Sequence, residues 1–110
     1  MIKSNRIEIP FNKWSLERLY DESKCATSRN KKYGNIGDWF EVIFKDKDES
    51  RKYQLIEVTK TKLKSVRDFG WQDEGCNSPE EFVKVWKKIH PRKGWIDNQY
   101  VWFHKFRELS

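Results

Sequence analysis

The chain has 110 residues, the usual size of one domain and too few for two independent cores, so we expect residues 1–110 to form a single domain. Fifteen per cent of the residues are aromatic, which excludes a disordered chain although 36% are charged. The net charge of +6 favours a polyanionic partner but is also compatible with a merely soluble surface. No signal peptide and no membrane-spanning apolar run is present, so we expect a cytoplasmic protein without a membrane partner.

The first half of the chain predicts one helix and two strands. Asn12 is placed to cap a short helix with one apolar face that ends near Tyr20. The segment DWFEVIFK, residues 38–45, is rich in aromatic and branched side chains, which is typical of a buried strand. After the polar turn KDKDESRK, YQLIEVTKTKL at residues 53–63 predicts the partner strand of a hairpin.

The second half predicts two helices and a last strand. A short helix is expected within residues 63–75, broken near Gly70. Ser78 begins an S-P-x-E helix start, and apolar residues then recur at helical spacing until Pro91. The alternation in residues 98–106 predicts a strand buried largely on both faces. Together these elements predict an α+β domain built around a small curved sheet or β-barrel.

The cysteines and histidines give no sign of a metal. Cys25 and Cys76 are far apart and form no C-x-x-C pair, so we expect two reduced thiols. With His90 and His104 they show no recognised zinc-ligand spacing. The sequence therefore predicts neither a metal site nor a cofactor.

A dense polar cluster, SKCATSRNKKYG, runs from Ser23 to Gly34. It places a lysine, a threonine and an arginine at the spacing K-x-x-T-x-R, followed by two more lysines and a tyrosine. The simplest interpretation is a solvated basic loop beside an ordinary strand threonine. The alternative is an anion site, because donors of several geometries stand next to a glycine turn. The residues alone leave both open.

Several segments together resemble the ASCH domains of the PUA-like superfamily. The opening helix of that family and its K-x-x-T-x-R segment resemble IPFNKWSLERLYDESKCATSR, and the start of one of its strands resembles IGDWFEV. Its characteristic helix region resembles EGCNSPEEFVKVWKKIHP, and its closing strand resembles VWFHKF. The resemblance covers nearly the whole chain. It implies a β-barrel-like sheet with flanking helices, a cleft beside the sheet, and the handling of RNA or nucleosides.

The resemblance also implies roles for individual residues. One branch of the family removes the acetyl group from 4-acetylcytidine, and its lysine, threonine and glutamate match Lys24, Thr27 and Glu74. Lys24 would then be the base, Thr27 the acyl acceptor and Glu74 the acid that protonates the leaving amine. Arg29 would steady negative charge or bind a phosphate. This sequence departs from that branch between Trp71 and Pro91, so the residues carry over more directly than the reaction does.

The catalytic site implied by the resemblance requires the side chains of Lys24 and Thr27 to lie close together. Residues three apart on a regular strand point to opposite faces, so Lys24 and Thr27 converge only if a β-bulge or a bend between the first helix and the strand intervenes. We expect that bend near Lys24, with the two side chains within mutual reach.

Two further groups are candidates for binding. Lys60, Lys62 and Lys64 precede Arg67 in a second basic run, most simply a solvated strand edge, which would extend the binding footprint if it bordered the cleft. Most aromatic residues in so small a domain belong to the core, but those at positions 33 and 71 lie outside clear apolar stripes and are candidates to stack a base.

We therefore predict a monomer whose basic cleft binds RNA or a modified nucleoside. The alternative is an amidohydrolase acting on 4-acetylcytidine or a related nucleoside, and a ribonuclease is less favoured. The predicted catalytic residues are Lys24, Thr27 and Glu74, and the predicted binding residues are Arg29, Lys31, Lys32, Tyr33 and Trp71.

Overall fold

A computed structural model describes residues 4–110. In chain order the elements are helix α1 (Lys13–Tyr20), strands β1 (Ala26–Arg29), β2 (Trp39–Phe44) and β3 (Glu49–Lys62), the short helix α2 (Leu63–Ser65), helix α3 (Pro79–Ile89) and strand β4 (Tyr100–Leu109). A 3-10 turn, Lys45–Lys47, joins β2 to β3, and a π-helical turn, Val66–Gly70, follows α2. Within residues 4–110 no helix is both long enough and apolar enough to cross a membrane.

The four strands form one antiparallel half-barrel sheet in the order β1-β4-β3-β2. Thr27 of β1 stands opposite His104 of β4. The long strand β3 pairs on both sides, and its register to β4 shifts by one residue between Leu55 and Glu57. Such a bulge bends and twists a strand, which curves the sheet. The predicted α+β architecture with a small curved sheet is confirmed.

Each face of the sheet carries its own apolar core. The first core, under α1, is built from Ile9, Leu19, Phe40, Val42, Phe44, Tyr53, Leu55 and Phe106. The second core, under α3, is built from Ala26, Leu63, Val66, Cys76, Phe82, Trp86, Val101 and Phe103. Strand β1 lies at the edge of the sheet, between these two layers, and among residues 4–110 no further strand pairs with its outer side. A cleft runs along this outer side.

The two main helices begin where the sequence predicts. The side chain of Asn12 accepts a hydrogen bond from the Ser15 N–H at 2.9 Å, and the Ser78 hydroxyl accepts one from the Glu81 N–H at 3.0 Å. The Glu81 carboxylate in turn accepts a bond from the Asn77 N–H. These caps satisfy N–H groups that no helical carbonyl can reach.

Two details of the predicted strands are wrong. Strand β3 begins at Glu49 rather than near residue 53, because Asp48 adopts a left-handed conformation with φ of 50° and closes a shorter turn. The last strand is not buried on both faces at its start. The side chain of Tyr100 is 55% exposed, because neither core extends over that end of β4.

Candidate functional site

A cleft of about 600 Å³ runs along the edge strand β1. This volume falls within the roughly 300–1,000 Å³ of small-molecule sites. The segment before α1, α1 itself, β1, the loop after it and α3 form its walls. The lining residues include Phe11, Trp14, Lys24, Thr27, Ser28, Arg29, Lys31, Tyr33, Glu74, Cys76, Phe82, Trp86 and His90.

Strand β1 supplies side chains to the cleft from both of its faces. Thr27 and Arg29 lie on the face of His104, and Ala26 and Ser28 lie on the other, because side chains alternate along a strand. Thr27 and Ser28 both line the cleft, which only an edge strand allows.

The centre of the cleft holds a buried ion pair. The Lys24 ammonium donates to the backbone carbonyl of Glu74 at 3.0 Å and lies 3.3 Å from its Oε1. The hydroxyl of Ser28 donates to the other carboxylate oxygen, Oε2, at 2.6 Å. Lys24 and Glu74 are each only 5% exposed. One carboxylate is thus held by two different donors in a place that is largely shielded from water.

The expected bend between α1 and β1 is present. Glu22 adopts a left-handed conformation, with φ of 69°, and the N–H of Lys24 donates back to the Arg18 carbonyl at 3.1 Å. Strand β1 starts only at Ala26, so Lys24 lies before the regular strand and is free of its alternation. Lys24 and Thr27 consequently line the same cleft.

The loop that carries Glu74 is tied directly to this bend. The carbonyl of Asp73 accepts hydrogen bonds from the N–H groups of Cys25 and Ala26, at 2.7 and 2.8 Å. Gly75 follows with φ of +91°, and a Cβ there would lie 3.0 Å from the Cβ of Lys24 and 3.2 Å from that of Arg18. Glycine is therefore required for the two segments to approach this closely.

The hydroxyl of Thr27 is bonded to Arg29 rather than to Lys24. The Arg29 Nε donates to Thr27 Oγ1 at 3.0 Å, and the guanidinium also lies 5.2 Å from the ring centre of Phe11 and 5.5 Å from that of Tyr33. Among residues 4–110, no hydrogen bond joins Lys24 to Thr27. The structure brings the three predicted catalytic residues into one cleft and pairs two of them, Lys24 and Glu74.

Burial shifts the ionisation of several groups in the cleft. It lowers the pKa of Lys24, and the negative charge of Glu74 opposes part of that shift. It also lowers the pKa of Arg29. Burial, helped by Glu74, raises the pKa of the Cys76 thiol to about 12, and burial with Asp73 raises that of Cys25. The two thiols are thereby kept protonated.

His104 connects strand β1 to the basic loop that follows it through two hydrogen bonds. Its Nε2 accepts a hydrogen bond from the Tyr33 N–H at 3.1 Å, so Nδ1 carries the proton and donates to the Thr27 carbonyl, also at 3.1 Å. Burial lowers the pKa of His104 and favours this neutral form. His104 is fully buried and positions other groups.

The predicted binding residues divide into two groups. Arg29, Lys31 and Tyr33 line the cleft. Lys32 lies outside it, with its ammonium 5.4 Å from the ring centre of Trp102. Trp71 is not a lining residue either: it is half-buried against the second core, because the π-helical turn before it leads to the face of the sheet under α3.

The structure adds site residues that the sequence did not single out. Ser28 occupies a variable position of the K-x-x-T-x-R pattern, yet its hydroxyl contacts the buried carboxylate. Trp86, expected only as part of the apolar face of α3, also lines the cleft, and its buried indole N–H has no hydrogen-bond partner in the described part of the chain. Over the same residues, no cluster of three His, Cys, Asp or Glu side chains is arranged to hold a metal ion.

Comparisons with solved structures identify the fold. The structure superimposes on the ASCH domain from Lactobacillus crispatus JV V101 with a TM-score of 0.71 and 11% sequence identity, covering 94% of this chain and 78% of that one. A protein from Enterococcus faecalis V583 of the family DUF984 gives a TM-score of 0.63 at 15% identity, covering 99% and 77%. The sequence matches no protein-family model and no curated protein. The chain thus has an ASCH-like, PUA-like fold, as its motifs indicated.

Proposed function

We propose that the cleft binds a modified nucleoside, either free or as an unpaired nucleotide of RNA. The observation that carries the proposal is the buried polar group formed by Lys24, Ser28 and Glu74 inside a cleft with aromatic walls. Proteins read an unpaired base by hydrogen bonds to its edge and by stacking on aromatic rings. This cleft offers both.

The polar group suits the edge of a cytosine-type base. A carboxylate such as that of Glu74 accepts a hydrogen bond from the exocyclic N4 of cytosine. The Lys24 ammonium can donate its remaining proton to the neighbouring ring nitrogen or carbonyl, and the Ser28 hydroxyl, whose own proton goes to Glu74, can accept a hydrogen bond. Because the group is buried, a base whose edge does not match these donors and acceptors would bind weakly.

The walls and the mouth of the cleft suit the rest of the nucleoside. Trp14 and Tyr33, which are half-buried, present rings for stacking, whereas Trp86 is almost fully buried and contributes only to the apolar wall. Arg29 is half-buried and Lys31 is exposed beside Tyr33, where a ribose hydroxyl or a phosphate would be held.

Calorimetric titration with cytidine, 4-acetylcytidine and uridine tests this binding. We expect Ser28→Ala to weaken binding of the preferred nucleoside by about tenfold or more, since it removes a hydrogen bond to a charged group and changes the buried edge. Ser50→Ala is the matched control, because Ser50 is an exposed strand serine on β3, away from the cleft. Equal affinity of the two variants, or no binding of any of the three by the wild type, would overturn the proposal.

A second candidate function is hydrolysis of an amide on the base. The observation that favours it is a lysine with a lowered pKa next to a carboxylate and two hydroxyls. Arg29 donates to Thr27 Oγ1, so the threonine keeps its own proton available for transfer. Thr27 is therefore the better nucleophile of the two hydroxyls.

The reaction balances over two steps. The oxygen of Thr27 bonds to the acyl carbon while its proton passes to the neutral amine of Lys24 and on to the carboxylate of Glu74, and the C–N bond breaks as the leaving amine takes this proton from Glu74. Water then adds to the ester and gives a proton to the amine of Lys24, which passes it to the departing threonine oxygen. The products are the amine and the carboxylic acid.

A chromatographic assay with 4-acetylcytidine tests this reaction. Cytidine released by the wild type and by Ser50→Ala, but not by Lys24→Ala or Thr27→Val, would support it. If the wild type binds 4-acetylcytidine but releases no cytidine, the hydrolysis candidate is rejected and nucleoside binding remains.

A further inference from the structure

Part of one sheet face lies open beside the cleft. Beyond His104, strand β4 continues on the same face with Trp102 and Tyr100. In register, Arg29 of β1, Trp102 of β4 and Lys60 of β3 form one row across three strands. Tyr100 and Lys62 form the next row. Residues directly opposite one another share a face, so these five side chains belong to one surface.

We call this surface the aromatic face; it consists of Arg29, Lys31, Lys32, Tyr33, Lys60, Lys62, Tyr100 and Trp102. Each of its rings has a cation beside it. The Lys31 ammonium lies 4.7 Å from the ring centre of Tyr33, that of Lys32 5.4 Å from Trp102, and that of Lys60 5.3 Å from Tyr100. None of the eight is acidic, so the aromatic face combines flat rings with a wholly positive charge.

The aromatic face is continuous with the cleft. Arg29 and Tyr33 belong to both, and the hydrogen bond from the Tyr33 N–H to His104 fixes the loop at the boundary between them. A chain molecule that places one unit in the cleft would therefore extend over the aromatic face on leaving it.

We propose that a single-stranded RNA lies along the aromatic face, with bases stacked on its rings, phosphates on its lysines and one nucleotide in the cleft. The last part rests on the proposed nucleoside binding. Alternating aromatic and basic side chains on a sheet face suit an unpaired strand, whose bases are free to stack and whose backbone is anionic. Side chains two apart on β4 stand about 6.6 Å apart, which gives successive bases separate rings.

The cation–ring contacts of the free protein are weak enough to be exchanged for contacts with RNA. Exposed ammonium groups over rings are held only weakly, by about 0.5–1 kcal/mol in general. A phosphate attracts the ammonium of Lys60 away from Tyr100, and the freed ring then accepts a base. An apolar protein partner is disfavoured, because it would have to desolvate these ammonium groups without pairing them.

Fluorescence anisotropy with a labelled RNA of about twelve nucleotides, within the site sizes of single-strand binders, tests the proposal. We expect Tyr100→Ala to weaken binding by about tenfold, from the loss of one stacked base. Tyr100 is 55% exposed, so this change leaves the fold intact. We expect Lys60→Ala to reduce the slope of log affinity against log salt by about 0.7, the loss of one phosphate contact on a single strand.

Lys60→Glu and Lys52→Glu form a matched pair. Both lysines are exposed on β3, and both lie over a ring, since the Lys52 ammonium is 5.4 Å from the ring centre of Trp39. The two variants have the same net charge, but only Lys60 belongs to the aromatic face. We expect Lys60→Glu alone to weaken RNA binding strongly. An abasic strand of equal length should bind the wild type and Tyr100→Ala alike, because it retains the phosphates and lacks the bases.

The outcomes separate this proposal from nucleoside binding. Weaker RNA binding by Tyr100→Ala and Lys60→Glu, with nucleoside affinity unchanged, supports it. Equal RNA binding by Lys60→Glu and Lys52→Glu overturns it and leaves nucleoside binding standing. RNA binding through the aromatic face without any nucleoside binding would overturn the placement of a nucleotide in the cleft. A preference for duplex RNA or for single-stranded DNA would overturn the assignment to single-stranded RNA.

Discussion

The ammonium group of Lys24 lies against both the backbone carbonyl and the carboxylate of Glu74, and almost none of this pair reaches solvent. Removing two charges from water costs several kcal/mol per ion, and their attraction offsets this only with good geometry. An apolar pair of the same volume is often as stable or more stable. The proposed function of the cleft gives this pair a role that stability does not.

Breaking this pair should destabilise the fold. We expect Lys24→Met or Glu74→Gln to lower the free energy of unfolding by about 3–5 kcal/mol, because each leaves a buried charge without its partner. The double variant should cost less than the sum of the two, which urea unfolding measures. The exposed pair of Arg6 and Glu41, 3.5 Å apart, is the control and should contribute at most about 1 kcal/mol. Strict additivity at Lys24 and Glu74 would contradict the expectation.

Gly75 should be far less tolerant of a side chain than Gly37. Both have a positive φ, +91° and +96°, but a Cβ at Gly37 would meet nothing within 4 Å, whereas one at Gly75 would crowd Lys24 and Arg18. We expect Gly37→Ala to cost about 1–2 kcal/mol from its backbone conformation alone. Gly75→Ala should cost more and should also weaken nucleoside binding. Thermal unfolding and titration of both variants check this, and equal costs would show that crowding at Lys24 is unimportant.

The stability of the protein should fall as the pH drops below the ordinary histidine pKa of 6.5. Burial lowers the pKa of His104 in the folded state, so below 6.5 the unfolded chain binds a proton that the folded chain does not. Stability is therefore lost progressively as the pH falls from 6.5 towards the folded pKa. Urea unfolding between pH 7.5 and about 5.5 measures it. The loss should be smaller in His104→Gln than in the wild type, and an identical pH dependence would rule out His104 as its source.

The cysteine thiols should react slowly in the folded protein. With a pKa of about 12, Cys76 carries its thiolate in roughly one molecule in ten thousand at pH 8. We expect alkylation of Cys76 by iodoacetamide to be at least about a thousandfold slower than in the urea-unfolded chain, as followed by mass spectrometry. Rapid labelling of Cys76 in the folded protein would show that it is not shielded in the way the structure describes.

If 4-acetylcytidine is hydrolysed, the rate should depend on the neutral form of Lys24. Because burial lowers its pKa, kcat/KM should rise with pH and level off at an apparent pKa below the ordinary lysine value of 10.5. Lys24→Arg keeps the positive charge but cannot lose its proton, so it should abolish this rise along with the activity. A pH-independent rate would assign the proton transfer to another group.

The sequence predicts the fold well where the signals are local. The caps at Asn12 and Ser78 and the apolar stripe of α3 each depend on a few neighbouring residues, and the structure has them in place. The bend before β1 was also predictable, because Lys24 and Thr27 could not otherwise share a cleft. The role of Ser28 was harder to foresee, because the resemblance aligned Lys24, Thr27 and Glu74 but gave no sign that Ser28 contacts Glu74.

The sequence could not show which way the lysines of β3 face. Before the bulge, the odd-numbered Tyr53 and Leu55 point into the first core. After it, the even-numbered Val58 packs against the same core, and Lys60 shares its face. An extra residue in one strand reverses the alternation of everything that follows. No pattern within the segment marks where that residue falls, so the aromatic face emerges only in three dimensions.

The pairing of β1 with β4 also constrains how the protein folds. Thr27 and His104 are 77 positions apart, yet the hydrogen bond from His104 Nδ1 to the Thr27 carbonyl helps to hold the edge strand of the cleft. Closing so long a loop is slow because its entropy is lost before the contact is gained. During synthesis, β2 and β3 can pair as a local hairpin, but β1 has to wait for the residues around His104. The cleft is therefore assembled late, only after strand β4 has been made.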